Sequence, residues 1–252
     1  MSNETIDFDD IKSLIDKLPS NVNLTIVGGQ AVSFWGSLYF ELYPELFEAS
    51  TGIVFGTADI DIMASSDAAK ACAEAWGASI TIPKKFEPTP NTAIVHLNLP
   101  GKGAIEIDFL SDYQRLNHVK KQYFSTVPLS QDKPIFILSQ LTVLLAKIGN
   151  TLVLRRTDPH GLGHLRAAIL IVRCYLTELI KQELDAVYEI VGLILYLAGR
   201  RNVGQILFHR YDIDLLAAIP SDLEALDPRY VEMTYAPKVG AIIQRRNLTN
   251  FT

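Results

Sequence analysis

The sequence predicts an α+β protein in which a mixed sheet with flanking helices is followed by a C-terminal helical bundle. Short runs in the first half alternate between apolar and polar residues, as in "TADIDIMA" at 57–64 and "AIEIDFL" at 104–110. The second half instead repeats its apolar residues at helical spacing. We therefore predict a sheet-containing domain at 1–138 and a mainly helical domain at 139–252. With 252 residues, 48% of them hydrophobic, the chain can bury cores of this size.

The predicted elements follow from these patterns. The first half predicts strands at 23–28, 57–64, 92–99, 104–110 and 135–138, and helices at 10–18, 29–43 and 65–76. The second half predicts helices at 139–155, 163–182, 184–200 and 204–219, whereas 236–252 carries no clear signal. The aromatic-rich stretch 37–56 is broken by Pro44, Gly52 and Gly56, so we interpret it as the end of a helix followed by a loop.

Composition limits the classes of function. The formal net charge of −5 argues against indiscriminate coating of nucleic acid, although the first half is acidic and the middle is basic. Two isolated cysteines show no metal-ligand spacing and support no disulfide, which fits a reducing cytosol. The N-terminus lacks the apolar stretch of a signal peptide, and the apolar run 190–199 is too short to span a bilayer. We therefore expect a cytoplasmic protein without a membrane partner.

Carboxylates are concentrated on one face of two predicted strands. Asp59 and Asp61 alternate with isoleucines, so both carboxylates share a face while the isoleucines enter the core. In the strand 104–110, Glu106 and Asp108 likewise share one face. An Asp-x-Asp pair alone is commonly a solvated edge, but three aspartates on two strands of one sheet can form a two-metal site.

A Gly-Gly pair joins the first predicted strand to the following helix, in "TIVGGQAV". Glycine allows another group to approach the backbone closely, and the N-terminus of a helix attracts anions such as phosphate. Gly28 and Gly29 are therefore either an ordinary tight turn or part of a phosphate site.

Taken in order, the Gly-Gly turn, the Asp-x-Asp strand and the third aspartate resemble the nucleotidyltransferase fold of the DNA polymerase beta superfamily. The matching motifs are "VGGQAVSFWG", "TADIDIMA" and "IEIDFL", and the resemblance covers about residues 22–112. It implies transfer of a nucleoside monophosphate from an NTP to an acceptor hydroxyl with two Mg²⁺ or Mn²⁺ ions. It further implies that Asp59 and Asp61 bind the metals, and that Asp108 completes the metal site and helps to activate the acceptor.

The same resemblance implies a nucleotide site. Gly28, Gly29 and Ser33 would contact the phosphates, and Thr57 also fits the pattern. A basic residue often precedes the Asp-x-Asp segment in this family, but Val54–Gly56 stand there in this chain, so the nucleotide charge is expected to be met elsewhere.

The helical half offers the missing cations. Bacterial nucleotidyltransferase-like toxins of the AbiEii type carry a lysine in a helix after the catalytic domain, which matches Lys147 in "LLAKIGN". We predict that Lys147 contacts the triphosphate across a cleft between the two domains. Arg155 and Arg156 are weaker candidates, and each of the three cations could instead be a charge at a helix end.

Histidines are open candidates. If residues 101–103 form a three-residue hairpin loop, His96 faces Asp108, whereas a register slip of one residue moves it to the other face. It could also be an ordinary strand histidine. His160 and His164 are four residues apart, but the two intervening glycines argue against a regular helix, and a zinc site needs more ligands.

Three functions follow from the resemblance. The first is a toxin-like bacterial nucleotidyltransferase that acts on RNA or protein, with an antitoxin protein as a candidate partner. The second is an antibiotic nucleotidyltransferase of the aminoglycoside type, whose acidic acceptor pocket could include the cluster at 41–48. The third is a catalytically silent nucleotide-binding regulatory module, against which the three aspartates argue.

Overall fold

The structure is a computed structural model, and it describes residues 6, 8–57, 59–84, 87, 89–111, 123–223 and 225–248. The chain divides into two compact units. The sheet unit comprises the chain up to Leu38 together with Val54–Gly149, and the helical unit comprises Tyr39–Ile53 and the chain from Asn150 onward. The sheet unit therefore continues eleven residues past the predicted boundary at 138, and 39–53 belongs with the helical unit.

A mixed seven-stranded sheet forms the centre of the sheet unit. The strands are β1 Leu24–Ile26, β2 Ile60–Met63, β3 Ser79–Thr81, β4 Asn91–Leu99, β5 Gly103–Leu110, β6 Thr126–Pro128 and β7 Ile135–Leu138. Their spatial order is β3-β4-β5-β2-β1-β7-β6. The β2–β5 and β1–β7 pairs are parallel and the others are antiparallel. The two strands that carry the predicted aspartates, β2 and β5, are therefore neighbours at the middle of the sheet.

The described α-helices lie in both units. They are α1 Phe8–Asp16, α2 Gly28–Leu42, α3 Pro44–Glu48, α4 Ser66–Trp76, α5 Gln140–Leu152, α6 Pro159–Leu179, α7 Leu184–Gly199, α8 Ile206–Tyr211, α9 Pro228–Tyr230 and α10 Ala236–Leu248. None of the helices in the described ranges is both long and apolar enough to cross a membrane. This arrangement confirms the predicted class, a mixed sheet with flanking helices followed by C-terminal helices.

One face of the sheet carries the apolar core of the sheet unit. Ile60 and Ile62 of β2 and Ile107 of β5 are nearly inaccessible to solvent, as the strand alternation predicts. Helices α1 and α4 lie over this face, and the indole Nε1 of Trp76 in α4 donates to the carbonyl of Leu14 in α1 at 2.9 Å. Burying the isoleucines on one side leaves the alternate residues of β2 and β5 for the opposite face.

Helix α2 is fixed to the sheet by its aromatic residues. The indole Nε1 of Trp35 donates to the carbonyl of Leu138, at the end of β7, at 2.7 Å. Trp35 also packs edge-on against Phe34, with the ring centroids 4.8 Å apart. The Trp35 hydrogen bond thus joins α2 to β7, the strand that pairs with β1.

The helical unit is built around α6 and α7, whose inward residues are almost all apolar. Asp158 caps α6, because its carboxylate accepts from the backbone N–H of Gly161 at 3.0 Å. The prediction that the glycines interrupt the helix is wrong: His160 and His164 both lie in the first turns of α6, with ring centroids 4.2 Å apart. The cap and Pro159 at the first helical position offset the low helix propensity of glycine.

Several elements differ from the prediction. The stretch 204–219 is not one helix: a π-helical turn at Arg201–Gln205 precedes α8, and a 3₁₀ turn at Leu215–Ala218 follows it. Asp212, with φ of 52°, takes the left-handed conformation that ends α8. The strands β3 and β6 and the helices α3 and α10 were not predicted, and a second π-helical turn at Val231–Tyr235 leads into α10.

Candidate functional site

The centre of the candidate site is a pair of aspartates on adjacent parallel strands. In the register of β2 and β5, Asp61 lies directly beside Asp108. Aligned residues of neighbouring strands share a face and are separated by about 4.8 Å between strand axes. Both residues are half-buried, while the neighbours Ile60, Ile62 and Ile107 fill the opposite face. The structure thus brings together two of the three predicted aspartates.

Asp59 lies just outside the strand in which we predicted it, because β2 begins at Ile60. The Thr57 hydroxyl accepts from the backbone N–H of Asp59 at 3.3 Å and donates to the Asp59 carbonyl at 3.1 Å. These bonds occupy the backbone groups of Asp59, so strand pairing in β2 begins only at Ile60. Such local side-chain bonds take backbone groups away from strand pairing. Asp59 is exposed, and its carboxylate acts electrostatically on Asp108.

The electrostatics of Asp108 distinguish it from an ordinary surface carboxylate. Burial, together with the nearby carboxylates of Asp59 and Glu106, raises the pKa of Asp108 above its usual value. A hydrogen bond from Asn91 acts in the opposite direction and lowers that pKa in part. The Nδ2 of Asn91 donates to Oδ1 of Asp108 at 2.9 Å. The fold therefore places Asp108 where a positive charge would stabilise it.

The backbone conformation and surroundings of position 28, at the start of α2, require a glycine. Its φ of 64° lies in the left-handed region, and a Cβ built on it would overlap the carboxylate of Asp61. The backbone also joins the two elements, since the N–H of Val27 donates to the carbonyl of Asp61 at 3.1 Å. The group that approaches Gly28 so closely is thus the Asp61 carboxylate, at the N-terminus of a helix whose dipole favours negative charge.

A chain of hydrogen bonds supports the segment before β2. The buried amide of Gln30 in α2 donates through Nε2 to the carbonyl of Ile6 at 3.3 Å. The N–H of Ile6 in turn donates to the carbonyl of Thr57 at 2.9 Å, and the Thr57 hydroxyl binds the backbone of Asp59. These hydrogen bonds link α2 to Asp59 through Ile6 and Thr57.

The other predicted nucleotide contacts occupy the same unit. Gly29 lies beside Gly28 in the first turn of α2 and is buried. Ser33 is also buried, and its hydroxyl donates to the carbonyl of Phe55. Lys147 lies on α5 and is only 7% exposed. It thus belongs to the sheet unit rather than to the helical unit in which we predicted it, whereas Arg155 and the adjacent Arg156 are exposed residues of the helical unit.

The predicted pairing of His96 with Asp108 is wrong. The hairpin loop is Pro100–Lys102, so His96 pairs with Glu106, and its Nδ1 lies 3.2 Å from Oε1 of that carboxylate. Its Nε2 lies 3.1 Å from the hydroxyl of Thr81. The loop begins one residue earlier than we predicted, at Pro100, and this shifts the register by two residues and leaves His96 on the same face but farther along the strand.

The predicted metal ligands are Asp59, Asp61 and Asp108. Their carboxylate oxygens are of the type that hard cations such as Mg²⁺ and Mn²⁺ prefer, so these residues could hold a divalent cation. In the described part of the chain, no group of three His, Cys, Asp or Glu side chains stands close enough together to hold a metal ion. Rotation of the aspartate side chains would have to complete the ligand set.

Sequence reasoning missed Asn91, the residue that contacts Asp108 most directly. No motif contains it, and its position depends on a register shift in β4 that the alternation pattern does not reveal. The chain matches no protein-family model, no curated protein and no solved structure. A function for this chain is therefore inferred from the residues and the geometry of this site.

Proposed function

We propose that the protein transfers a nucleoside monophosphate from an NTP to an acceptor hydroxyl, as the family resemblance implies. The observation that carries this proposal is the register of β2 and β5, which sets Asp61 beside Asp108 on one face of the sheet. Neighbouring half-buried carboxylates repel each other in a partly dry environment, and a bound cation relieves that repulsion. Burial, with the nearby charges of Asp59 and Glu106, raises the pKa of Asp108, as is common for carboxylates at functional sites.

A divalent cation would be held by Asp59, Asp61 and Asp108, and its chemistry would be to neutralise the negative charge of the triphosphate and of the leaving group. The N-terminus of α2, at Gly28 and Gly29, adds the positive end of a helix dipole beside the carboxylates. Lys147 supplies a buried cation in the same unit. The sheet unit thus contains the charges that an NTP requires.

In the proposed reaction, the acceptor oxygen forms a bond to the α-phosphorus of the NTP. The bond from that phosphorus to the oxygen bridging to the β-phosphate breaks, and pyrophosphate leaves with the electron pair. Asp108 accepts the proton of the acceptor hydroxyl, and a raised pKa improves a carboxylate as a general base. Positioning and electrostatic stabilisation contribute most of the rate enhancement in such transfers.

Asp108→Asn tests this function. The amide is nearly isosteric and lies on a polar face, so the fold and the affinity for NTP should stay close to those of the wild type. Transfer should fall by at least about a hundredfold, within the range for the loss of a general base. The measurement is the labelling of total RNA, lysate protein or aminoglycosides with α-³²P-NTP and Mg²⁺ or Mn²⁺. These three acceptors also separate the toxin-like activity from the antibiotic-modifying one.

Asp67→Asn is the matched control, because it makes the same change in the sheet unit at an exposed carboxylate of α4 that is paired with Lys70 and is not one of the charges acting on Asp108. It should label the acceptor at nearly the rate of the wild type. If Asp108→Asn labels the acceptor as fast as the wild type, the mechanism is wrong. If the wild type binds NTP but labels no acceptor, the silent nucleotide-binding module replaces the enzyme as the explanation.

A further inference from the structure

A β-bulge lies at the start of β4, next to the aspartates. Ala93 pairs with Phe109 of β5, but Asn91 pairs with Leu110, so one residue, Thr92, is extra in β4. In an unshifted ladder Thr92 would lie opposite Leu110, and Asn91 would be directed to the apolar face. The bulge therefore turns Asn91 to the face that carries the aspartates.

The side-chain contacts agree with this register. The Asn91 Nδ2 donates to Oδ1 of Asp108 at 2.9 Å. Because an ionised carboxylate only accepts hydrogen bonds, the amide must present its NH₂ group to Asp108. Asp108 has Ile94 directly opposite it in β4. The polar partner of Asp108 from this strand is thus supplied by the bulge and not by the regular ladder.

The bulge itself is held by hydrogen bonds. The Thr92 hydroxyl lies 3.0 Å from the carbonyl of Ala64 and 3.1 Å from that of Phe109, which lets it donate to either. The N–H of Asn91 donates to the hydroxyl of Thr89 at 3.2 Å. Backbone groups that a bulge leaves unpaired are thereby satisfied, and Asn91 is fixed on both sides.

An amide is a suitable partner for a carboxylate that must also bind a cation. Asp59 and Glu106 act on Asp108 as like charges, so a freely rotating carboxylate would turn away from them. A lysine or arginine in place of Asn91 would hold the carboxylate but would also neutralise it and compete with a cation. The neutral NH₂ group orients the carboxylate and leaves its charge in place.

We propose that Asn91 is a positioning residue for Asp108, whose amide fixes that carboxylate in the orientation that divalent-cation binding and nucleotidyl transfer require. This inference rests on the function proposed above. It assigns a role to the bulge in β4: the extra residue aims one amide at one carboxylate.

The test is a titration with Mn²⁺, followed by electron paramagnetic resonance, of the full chain in the presence of an NTP analogue that cannot be transferred. Asn91→Ala should weaken Mn²⁺ binding by about ten- to one hundredfold, the range for removing a group that orients a metal ligand. Ser111→Ala is the matched control. It removes the hydroxyl that donates to the carbonyl of Pro90 at 2.9 Å, next to Asn91, and leaves Asp108 untouched, so it should bind Mn²⁺ as the wild type does.

A double-mutant cycle separates positioning from a general structural role. In the Asp108→Asn background, Asn91→Ala should cause no further loss of Mn²⁺ affinity, because the group that it orients is gone. Unfolding by urea checks that each variant is folded, and Asn91→Ser replaces Asn91→Ala in the cycle if the alanine variant is unfolded.

Two results would overturn the inference alone: Asn91→Ala binding Mn²⁺ like the wild type, or an equal loss in the Asp108→Asn background. Failure of the wild type itself to bind Mn²⁺ would reject the proposed function, and the inference with it. Retained binding by the wild type and Ser111→Ala, with a loss in Asn91→Ala that disappears in the double variant, supports both.

Discussion

One carboxylate in the helical unit and one in the sheet unit have opposite electrostatic surroundings. In the helical unit, the guanidinium of Arg246 binds both carboxylate oxygens of Asp214, with nitrogen–oxygen distances of 2.8 and 2.6 Å. It also stacks over the ring of Phe208 at 4.2 Å from the ring centroid. In the sheet unit, Asp108 accepts from a neutral amide and lies near two other carboxylates.

This contrast separates a structural charge from a candidate functional one. A bidentate ion pair is internally compensated, so Asp214 and Arg246 contribute to folding and leave no charge for a ligand. Burial, with the like charges of Asp59 and Glu106, raises the pKa of Asp108, so the fold destabilises the ionised form of this carboxylate. A cation bound at Asp108 would offset this local instability.

The largest expected effect is on metal binding. We predict that Asp59→Asn combined with Asp61→Asn weakens Mn²⁺ binding by more than about a hundredfold, because loss of an orienting group alone reaches that scale. Calorimetric titration of Mn²⁺ into the wild type and the double variant measures it. As a control, Asp214→Asn changes a carboxylate of the helical unit and should leave Mn²⁺ affinity unchanged. Equal affinities for the wild type and the double variant would show that the metal lies elsewhere.

The next effect concerns the buried cation of the sheet unit. We predict that Lys147→Ala weakens NTP binding by about 1–3 kcal/mol, the scale of a charge-assisted hydrogen bond, and weakens nucleoside binding much less. Lys147→Met keeps the volume of the alkyl chain and should show the same selective loss, which excludes a cavity effect. Equal losses for NTP and nucleoside would mean that Lys147 stabilises the fold and does not bind phosphate.

The side-chain directions of Asp61 and Asp108 could be predicted from the sequence. Buried isoleucines alternate with polar residues in β2 and β5, and this alternation correctly predicted that both aspartates lie on the face opposite the core. Three-residue strands such as β3 and β6 have too few residues to show a period. Their formation depends on pairing with β4 and β7, which a local pattern does not contain.

The site itself was predicted less completely than the fold. His96 was assigned the wrong partner because hairpin register depends on where the turn begins, and Asn91 was missed because a bulge changes the face of every residue before it. The pairing of Arg246 with Asp214 joins residues 32 positions apart in a region of π-helical and 3₁₀ turns. No helical period links them, so only the folded chain reveals the pair.

A smaller effect is expected from the compensated pair. We predict that Arg246→Met lowers the free energy of unfolding by about 2 kcal/mol, since charged hydrogen bonds are lost while the apolar stem over Phe208 is kept. The loss should stay below that of a fully buried pair, because the Asp214 side chain is 37% exposed. Urea unfolding measures the change in the free energy of unfolding.

Lys181→Met is the control: it breaks an exposed pair with Glu178 and should change stability by less than about 0.5 kcal/mol. A similar small change for Arg246→Met would remove the distinction between the two pairs.

The smallest effect is a gain in stability, and it tests the comparison most directly. Burial and the neighbouring carboxylates raise the pKa of Asp108 above its usual value of 3.8, so the folded chain binds this proton more tightly than the unfolded chain does. Stability then falls as the pH rises from that usual value through the raised pKa, and the loss persists at higher pH.

Asp108→Asn cannot ionise. In EDTA, it should match the wild type near pH 3.5 and be more stable at about pH 8. Thermal unfolding across this range measures the difference. Adding Mg²⁺ at about pH 8 should reverse the order, because the folded wild type binds the cation more tightly than the folded variant and is therefore stabilised more. A variant that is less stable than the wild type at pH 8 in EDTA would show that the Asp108 charge is compensated within the fold, as the charge of Asp214 is.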